Sequence, residues 1–123
     1  MVPEERLFLS SITIGEIQKG IDLIPWPRAT AGADDRRRQQ ADLDGKLGTL
    51  CERFAGRIVD VDARVARAWG RLHAEFERRG RKTPIVDTLI AACAVANDLV
   101  LASCDADMAA FDDVLTRYDP IRR

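Results

Sequence analysis

The sequence predicts one α/β domain over residues 1–123, with a parallel sheet covered by helices on both faces. Short apolar or β-branched runs, typical of buried strands, alternate along the chain with longer segments of helical periodicity. One of those helical segments is apolar almost all round, which indicates burial at the centre of a domain. The 123 residues are enough for a single hydrophobic core and too few for two.

The first part of the chain predicts a strand followed by a helix. Residues 7–10 form a short apolar run suited to a buried strand. Thr13-Ile-Gly-Glu16 then opens a helix in which isoleucines recur near one face. We expect this helix to end at Pro25, because proline supplies no amide hydrogen and forces the preceding residue out of helical geometry. Residues 28–33 are interpreted as a loop.

The middle of the chain predicts two helices with a strand between them. Residues 35–54 form a long polar segment whose apolar side chains recur at helical spacing: Leu43, Leu47, Leu50 and Phe54. Residues 57–62 are β-branched and alternating, which predicts a strand. Residues 63–79 are helical in pattern, and Gly80 is the residue type that ends such a helix.

The last part of the chain predicts the most buried helix, at residues 83–97. Thr83 suits the cap position of this helix, and Pro84 suits its first turn. The remaining predicted elements are a buried strand, a short helix or turn, and an edge strand, at residues 99–103, 105–111 and 115–118.

Composition and cysteine usage narrow the class of protein. Apolar residues make up 46% and charged residues 32% of the chain, as in ordinary globular domains. The longest apolar stretch, at residues 89–96, is far below the roughly 18 residues that span a bilayer, and the acidic N-terminus does not resemble an export signal.

The three cysteines are odd in number and share no close spacing. This argues against a disulfide framework or a zinc site, and we expect a cytoplasmic protein without membrane association.

The charge of the chain excludes one kind of binding surface and leaves another open. A net charge of −1 excludes a globally basic nucleic-acid binder, although it allows a local basic surface. Two basic runs are present, formed by Arg36, Arg37 and Arg38 and by Arg78, Arg79, Arg81 and Lys82. Such runs are usually solvated helix faces, and they would otherwise serve an RNA phosphate backbone or an acidic partner equally well.

Four acidic residues carry the chemical interest of the sequence: Glu16, Asp87, Asp105 and Asp107. The first three each have a structural explanation. Thr13-x-x-Glu16 is the pattern of a capping box, in which the glutamate accepts from the amide of the cap residue. Asp87 suits the helix dipole in the first turn of its helix, and Asp105 suits the cap of the short helix that follows. Taken separately, these positions favour capping over catalysis.

Taken together, the same residues predict a metal site. Glu16 and Asp105 each follow a buried strand directly, which places both at the carboxyl edge of a parallel sheet, where open α/β sheets bind ligands. Asp87 begins the most buried helix, where a carboxylate needs a compensating partner. Converging carboxylates repel one another unless protonation or a cation relieves them. Oxygen ligands without histidine or cysteine indicate Mg²⁺ or Mn²⁺, ions that support phosphodiesterase and nuclease chemistry.

Three motifs resemble the acidic motifs of VapC-type PIN domains, in the same order and over almost the whole chain. Ile12-Thr-Ile-Gly-Glu16-Ile resembles the second acidic motif of that family. Pro84-Ile-Val-Asp87-Thr-Leu-Ile-Ala-Ala resembles the third. Leu101-Ala-Ser103-Cys-Asp105-Ala-Asp107-Met resembles the fourth, with serine and methionine in place of the usual threonine and phenylalanine.

The resemblance implies a PIN-like three-layer α/β domain with metal-dependent endoribonuclease activity. It implies that Glu16, Asp87 and Asp105 are the catalytic carboxylates and hold one Mg²⁺ (or Mn²⁺) ion, with Asp107 as an auxiliary metal ligand. It also implies a homodimer, an RNA substrate, and inhibition by a partner VapB-like antitoxin.

The sequence departs from the family pattern at its start. That pattern begins with a strand that ends in Asp-x-Asn or Asp-x-Ser, and no such segment precedes Glu16 in this chain. We therefore expect the first, central strand and the first acidic residue to be absent from this chain. Three hypotheses follow: a VapC-like ribonuclease toxin, a catalytically inactive PIN remnant that dimerises and binds an antitoxin, and an α/β binding domain whose acids only cap helices.

Overall fold

The computed structural model describes residues 2–24, 33–103 and 106–119. The chain divides into two compact units, Met1–Val59 and Asp60–Arg123. Among its described residues, each unit holds two α-helices and one pair of parallel strands, which confirms the α/β class and the parallel pairing. Across these ranges, no helix is long and apolar enough to cross a membrane. The single domain over residues 1–123 and the absent central strand stay predictions.

The first unit contains, in chain order, a 3-10 helix (Glu4–Arg6), strand β1 (Leu9–Ser10), helix α1 (Ser11–Asp22), helix α2 (Ala33–Arg53) and strand β2 (Ile58–Val59). β1 pairs with β2 in parallel, with Leu9 opposite Ile58 and Ser10 opposite Val59. Both strands lie inside the runs that the sequence predicts, and are shorter. Residues 25–32, which contain the predicted helix stop and most of the predicted loop, lie outside the described residues.

Two arginine side chains form hydrogen bonds to backbone carbonyl oxygens of other segments in the first unit. Arg36 on α2 donates to the carbonyl oxygen of Ile24 at 2.8 Å, just beyond the end of α1. Arg57, before β2, donates to the carbonyl oxygens of Leu7 at 3.0 Å and Arg53 at 2.9 Å. These bonds satisfy backbone acceptors that the helix and strand ends leave without partners. The buried apolar side chains of the unit are Ile21, Leu47 and Phe54.

The start of α1 differs from the prediction. Ser10, the last residue of β1, is the N-cap, and its hydroxyl accepts from the amide of Ile12 at 3.1 Å. Because the extended backbone of Ser10 already brings a hydroxyl to the first turn, the helix begins at Ser11, before Thr13. The predicted capping box of Thr13 and Glu16 is therefore wrong.

The second unit contains helix α3 (Ala63–Arg78), helix α4 (Ile85–Ala96), strand β3 (Leu101–Ala102), a 3-10 helix (Ala106–Phe111) and strand β4 (Arg117–Tyr118). Asp62 caps α3, because its carboxylate accepts from the amide of Val65 at 2.9 Å. β3 pairs in parallel with β4, which confirms the strand predicted at residues 115–118.

The core of the second unit lies where α3 packs along α4. α3 buries one stripe of side chains at helical spacing: Val65, Ala68, Leu72 and Phe76. α4 buries Thr88 and the four small residues 91–94. Ile85 is nevertheless 60% exposed and Val95 is also exposed, so the prediction of burial all round α4 is wrong near the two ends of the helix. Apolar residues are common on protein surfaces, and an apolar pattern alone does not fix burial.

The start of α4 also differs from the prediction. Pro84 is the N-cap, with ψ 140°, and the helix begins at Ile85. Thr83 makes no capping bond to a helix amide; its hydroxyl oxygen instead lies 3.0 Å from the hydroxyl of Thr88. The Thr88 hydroxyl is also 2.9 Å from the carbonyl oxygen of Pro84, to which it donates. Proline fixes its own φ, so it sets the entry into the helix without a side-chain cap.

A glycine in the left-handed region ends α3. Gly80 has φ +69°, and its amide donates to the carbonyl oxygen of Glu77 at 3.0 Å. The amide of Arg81 donates back to the carbonyl oxygen of Phe76 at 2.8 Å. The two bonds satisfy carbonyls at the helix end, which confirms the stop that the sequence predicts at Gly80.

Gly80→Ala is expected to lower the free energy of unfolding by about 1 kcal/mol, because alanine is strained at positive φ. Gly48→Ala is the matched control, since Gly48 lies within α2 and an added methyl group meets no atom within 4 Å. That change is expected to raise the free energy of unfolding by about 0.5–1 kcal/mol. Urea denaturation followed by circular dichroism measures both, and two changes of the same sign would contradict the left-handed turn.

Candidate functional site

Glu16 lies in the second turn of α1, shortly after β1 along the chain. Its side chain is exposed. Among the described residues of the first unit, it has no hydrogen-bond or ion-pair partner. Because Ser10 caps the helix, Glu16 has no capping role either. Within this unit, the Glu16 carboxylate is open to a ligand.

Asp87 lies in the first turn of α4, where the sequence predicts it, and is half-buried. The amides at a helix N-terminus carry partial positive charge, which stabilises a carboxylate at this position. The next residue, Thr88, is fully buried, and its hydroxyl bonds hold the chain that leads into the helix. Asp87 is therefore presented from a fixed helix end rather than from a loop.

The fourth acidic motif is described only in part. Asp105 lies outside the described residues, and Asp107 belongs to the 3-10 helix Ala106–Phe111. In the part of the chain that the structure describes, no group of three His, Cys, Asp or Glu side chains could hold a metal ion. The convergence of Glu16, Asp87 and Asp105 on one ion therefore stays a prediction.

The described donors fit a hard divalent cation. Glu16 and Asp87 offer carboxylate oxygens, which are the ligands that Mg²⁺ and Mn²⁺ prefer. The only histidine of the sequence, His73, lies on α3 with its ring against that of Trp69, at 5.3 Å between centroids. A donor set of oxygens favours such a cation over zinc, which is usually held by nitrogen and sulfur.

The basic run at the end of α3 is engaged within the second unit. Arg79 donates to Asp113 at 2.8 Å and to Glu75 at 3.2 Å, and Arg78 donates to Glu75 at 2.7 Å. The hydrogen bond from Arg79 lowers the pKa of the Asp113 carboxyl group. The hydrogen bond from Arg78 likewise lowers the pKa of Glu75. These arginines stabilise acidic side chains of their own unit, and a role of the run in binding a partner stays a prediction.

A second basic surface lies on the outer face of α3, and two of its arginines belong to neither basic run of the sequence. Arg67, Arg71 and Arg78 line a shallow depression of about 380 Å³ together with Gly70 and Ala74. Arg67 and Arg71 are exposed, and no acid among the described residues of the second unit pairs with them. The signal that finds them is the i, i+4 spacing of two arginines away from the buried stripe of an amphipathic helix.

The family assignment comes from a match over nearly the whole chain. A family model described as PIN domain matches residues 2–114. The chain belongs to the PIN domain family. The match includes α1 and α4, the helices that carry Glu16 and Asp87, and it confirms the resemblance found in the sequence motifs.

Two curated relatives are each 31% identical to this PIN domain. Plasmid stability protein StbB of Pseudomonas syringae pv. tomato aligns over 101 residues, which are 82% of this chain and 66% of StbB. Ribonuclease VapC4 of Mycobacterium tuberculosis aligns over 108 residues, which are 86% of this chain and 72% of that protein. The chain thus spans 66% and 72% of the length of these two relatives.

Solved structures share the fold of this PIN domain. A chain in the crystal structure of FitAcB from Neisseria gonorrhoeae matches with a TM-score of 0.78 and 24% identity, over 99% of this chain and 81% of that one. VapBC-5 from Mycobacterium tuberculosis, described as a member of the VapBC family of toxin-antitoxin systems, matches with a TM-score of 0.65 and 27% identity. The second match covers 93% of this chain and 80% of that one. Both likenesses confirm the α/β PIN fold.

Proposed function

We propose that this PIN domain is a metal-dependent endoribonuclease toxin of a VapBC-type toxin–antitoxin system. The observation that carries the proposal is the family match over residues 2–114. The similarity to Ribonuclease VapC4 of Mycobacterium tuberculosis supports hydrolysis of RNA phosphodiester bonds. The site supports the same chemistry, because Glu16 is exposed without a partner in its unit and Asp87 lies at the N-terminus of a packed helix.

In the proposed site, Glu16, Asp87 and Asp105 hold one Mg²⁺ or Mn²⁺ ion, and Asp107 is an auxiliary ligand. A bound cation of this kind lowers the pKa of water and neutralises charge on a phosphate. Asp87 lies at a helix N-terminus, where a carboxylate is favourable, and it directly precedes the fully buried Thr88. Glu16 contributes a second carboxylate from a helix start that Ser10 fixes.

The proposed partners are a VapB-like antitoxin and an RNA substrate. The structural match to VapBC-5, a member of the VapBC family of toxin-antitoxin systems, supports the antitoxin. The family resemblance supports a homodimer, and the cysteine usage supports action in the cytoplasm.

The proposal is tested by removing the metal. The purified chain is expected to cut a pool of single-stranded RNA oligonucleotides in Mg²⁺ or Mn²⁺, to stop when EDTA is added, and to resume when excess Mn²⁺ is restored. Gel analysis of end-labelled RNA follows the products. A chain that binds a VapB-like antitoxin but cuts no RNA with either ion would contradict the enzyme and support the inactive remnant.

A further inference from the structure

We propose that the outer face of α3 binds the phosphate backbone of single-stranded RNA. This surface, the α3 track, consists of Arg67, Gly70, Arg71 and Ala74. The assignment rests on the proposed function, which supplies RNA as the ligand. It adds a surface that holds the strand, separate from the acidic residues that would cut it.

The two arginines of the α3 track supply uncommitted positive charge. Arg67 and Arg71 lie one helical turn apart, which is about 6 Å along the axis at 1.5 Å per residue. Their basic neighbours on the same helix, Arg64 and Arg78, are each paired with an acid. Among the described residues of the second unit, no acid pairs with Arg67 or Arg71. Their charge therefore remains available to phosphate groups, which release counterions when they bind.

The floor of the α3 track is low enough for a nucleic-acid backbone to approach. Gly70 lies in the interior of α3, where glycine costs about 0.5–1 kcal/mol relative to alanine. A methyl group at Gly70 would meet no atom within 4 Å, so packing within the described chain does not require this glycine. Together with Ala74, it leaves the depression of about 380 Å³ between the arginine side chains.

The composition of the α3 track favours a polyanion over a protein partner. Protein interfaces are centred on aromatic or aliphatic side chains that fill pockets, and the lining of this depression contains only arginine, glycine and alanine. In the described part of the chain, the exposed large hydrophobic residues all lie outside α3. A second copy of the same surface would bring like charges together across a two-fold axis. Contacts from arginine to phosphate carry no sequence information, so the track would position the strand rather than select it.

The test is RNA binding by the full chain with Arg67→Ala and Arg71→Ala combined. Fluorescence anisotropy with a labelled, mixed-sequence single-stranded RNA is measured in EDTA over a series of salt concentrations. The double variant is expected to bind on the order of tenfold more weakly. The plot of log affinity against log salt is expected to become shallower by about 1.4, since each lost phosphate contact on single strands contributes about 0.7.

The matched control combines Arg6→Ala with Lys46→Ala, two exposed basic residues outside both basic runs, whose removal changes the net charge equally. A loss as large in the control as in the α3 variant would show a general effect of charge and overturn the α3 track. The α3 track would also be overturned if the unmodified chain did not bind RNA at all. Because EDTA removes the metal, binding is read independently of cleavage: RNA that is bound through Arg67 and Arg71 but never cut would overturn only the proposed function.

A second pair of variants tests the shape of the surface. Gly70→Leu fills the floor of the α3 track, whereas Gly48→Leu makes the same change on α2. Both changes are expected to raise the melting temperature, since leucine is a better helix former than glycine, but only Gly70→Leu is expected to weaken RNA binding. The double variant is also tested with a polyglutamate peptide. If Arg67→Ala with Arg71→Ala weakens binding of the peptide but leaves binding of RNA unchanged, the surface recognises an acidic protein segment and the proposal is overturned.

Discussion

Asp87→Asn is expected to slow metal-dependent RNA cleavage by about hundredfold or more. The substitution keeps the size of the side chain and removes the charge that a divalent ion needs. Metal ions contribute several kcal/mol of transition-state stabilisation, and a loss of about 3 kcal/mol corresponds to roughly a hundredfold in rate. Single-turnover cleavage of an end-labelled RNA at saturating Mn²⁺ measures the effect. The charge removed at the helix N-terminus corresponds to a dipole interaction of about 0.3–1 kcal/mol, and the amide keeps the size of the side chain, so the variant is expected to stay folded.

Asp98→Asn is the control for that experiment. Asp98 follows the other end of α4 and has φ 52°, a conformation that asparagine tolerates as well as aspartate. Its charge lies near the C-terminus of the helix, where a carboxylate is unfavourable, so this change is expected to leave cleavage and folding intact. If Asp87→Asn and Asp98→Asn cut RNA at equal rates while both remain folded, Asp87 only caps a helix and the proposed metal site is wrong.

The helices could be predicted from sequence because their apolar spacing reports directly on the side that packs. α3 buries Val65, Leu72 and Phe76 at helical spacing, within the residues 63–79 that the pattern predicts as a helix. The helix starts were less predictable, since several residue types near a start compete for the capping role. The N-cap of α1 is Ser10 rather than Thr13, and the N-cap of α4 is Pro84 rather than Thr83. Such choices depend on the backbone conformation of single residues, which a pattern of residue types does not specify.

For the candidate site, the sequence predicts the helix or strand on which each acidic residue lies, but not the distances between the residues. The structure has Asp87 in the first helical turn that the motif predicts. Glu16, predicted to follow a buried strand directly, instead lies in the second turn of α1, and the strand before that helix is half-buried. The predicted meeting of these carboxylates at one ion is a long-range property, which the local spacing of residues does not specify. Arg67 and Arg71 could not be predicted as a surface from the sequence, because a net charge near zero does not show where basic side chains cluster. The buried residues of α3 show that both arginines lie on its exposed side.

Phe76→Ala is expected to lower the free energy of unfolding by about 3–5 kcal/mol. The Phe76 side chain is 2% exposed and meets the ring of Phe111 edge-on, at 5.3 Å between centroids and 86° between planes. Arg81 also lies over the Phe76 ring, with the guanidinium carbon 5.6 Å from the ring centre. Alanine would leave a cavity among these groups and remove an aromatic pair that contributes about 0.5–1.5 kcal/mol beyond its buried area.

Phe8→Ala removes the same side chain from a position that is 45% exposed, and it is expected to cost less than about 1 kcal/mol. Urea denaturation of the two variants, followed by far-UV circular dichroism, compares a buried with an exposed phenylalanine. Phe76 anchors α3 beside α4, so its loss is expected to weaken both the presentation of Asp87 and the arginine face of α3. Equal destabilisation by the two substitutions would mean that Phe76 does not hold the core of the second unit, and the positioning argued for both surfaces would fail with it.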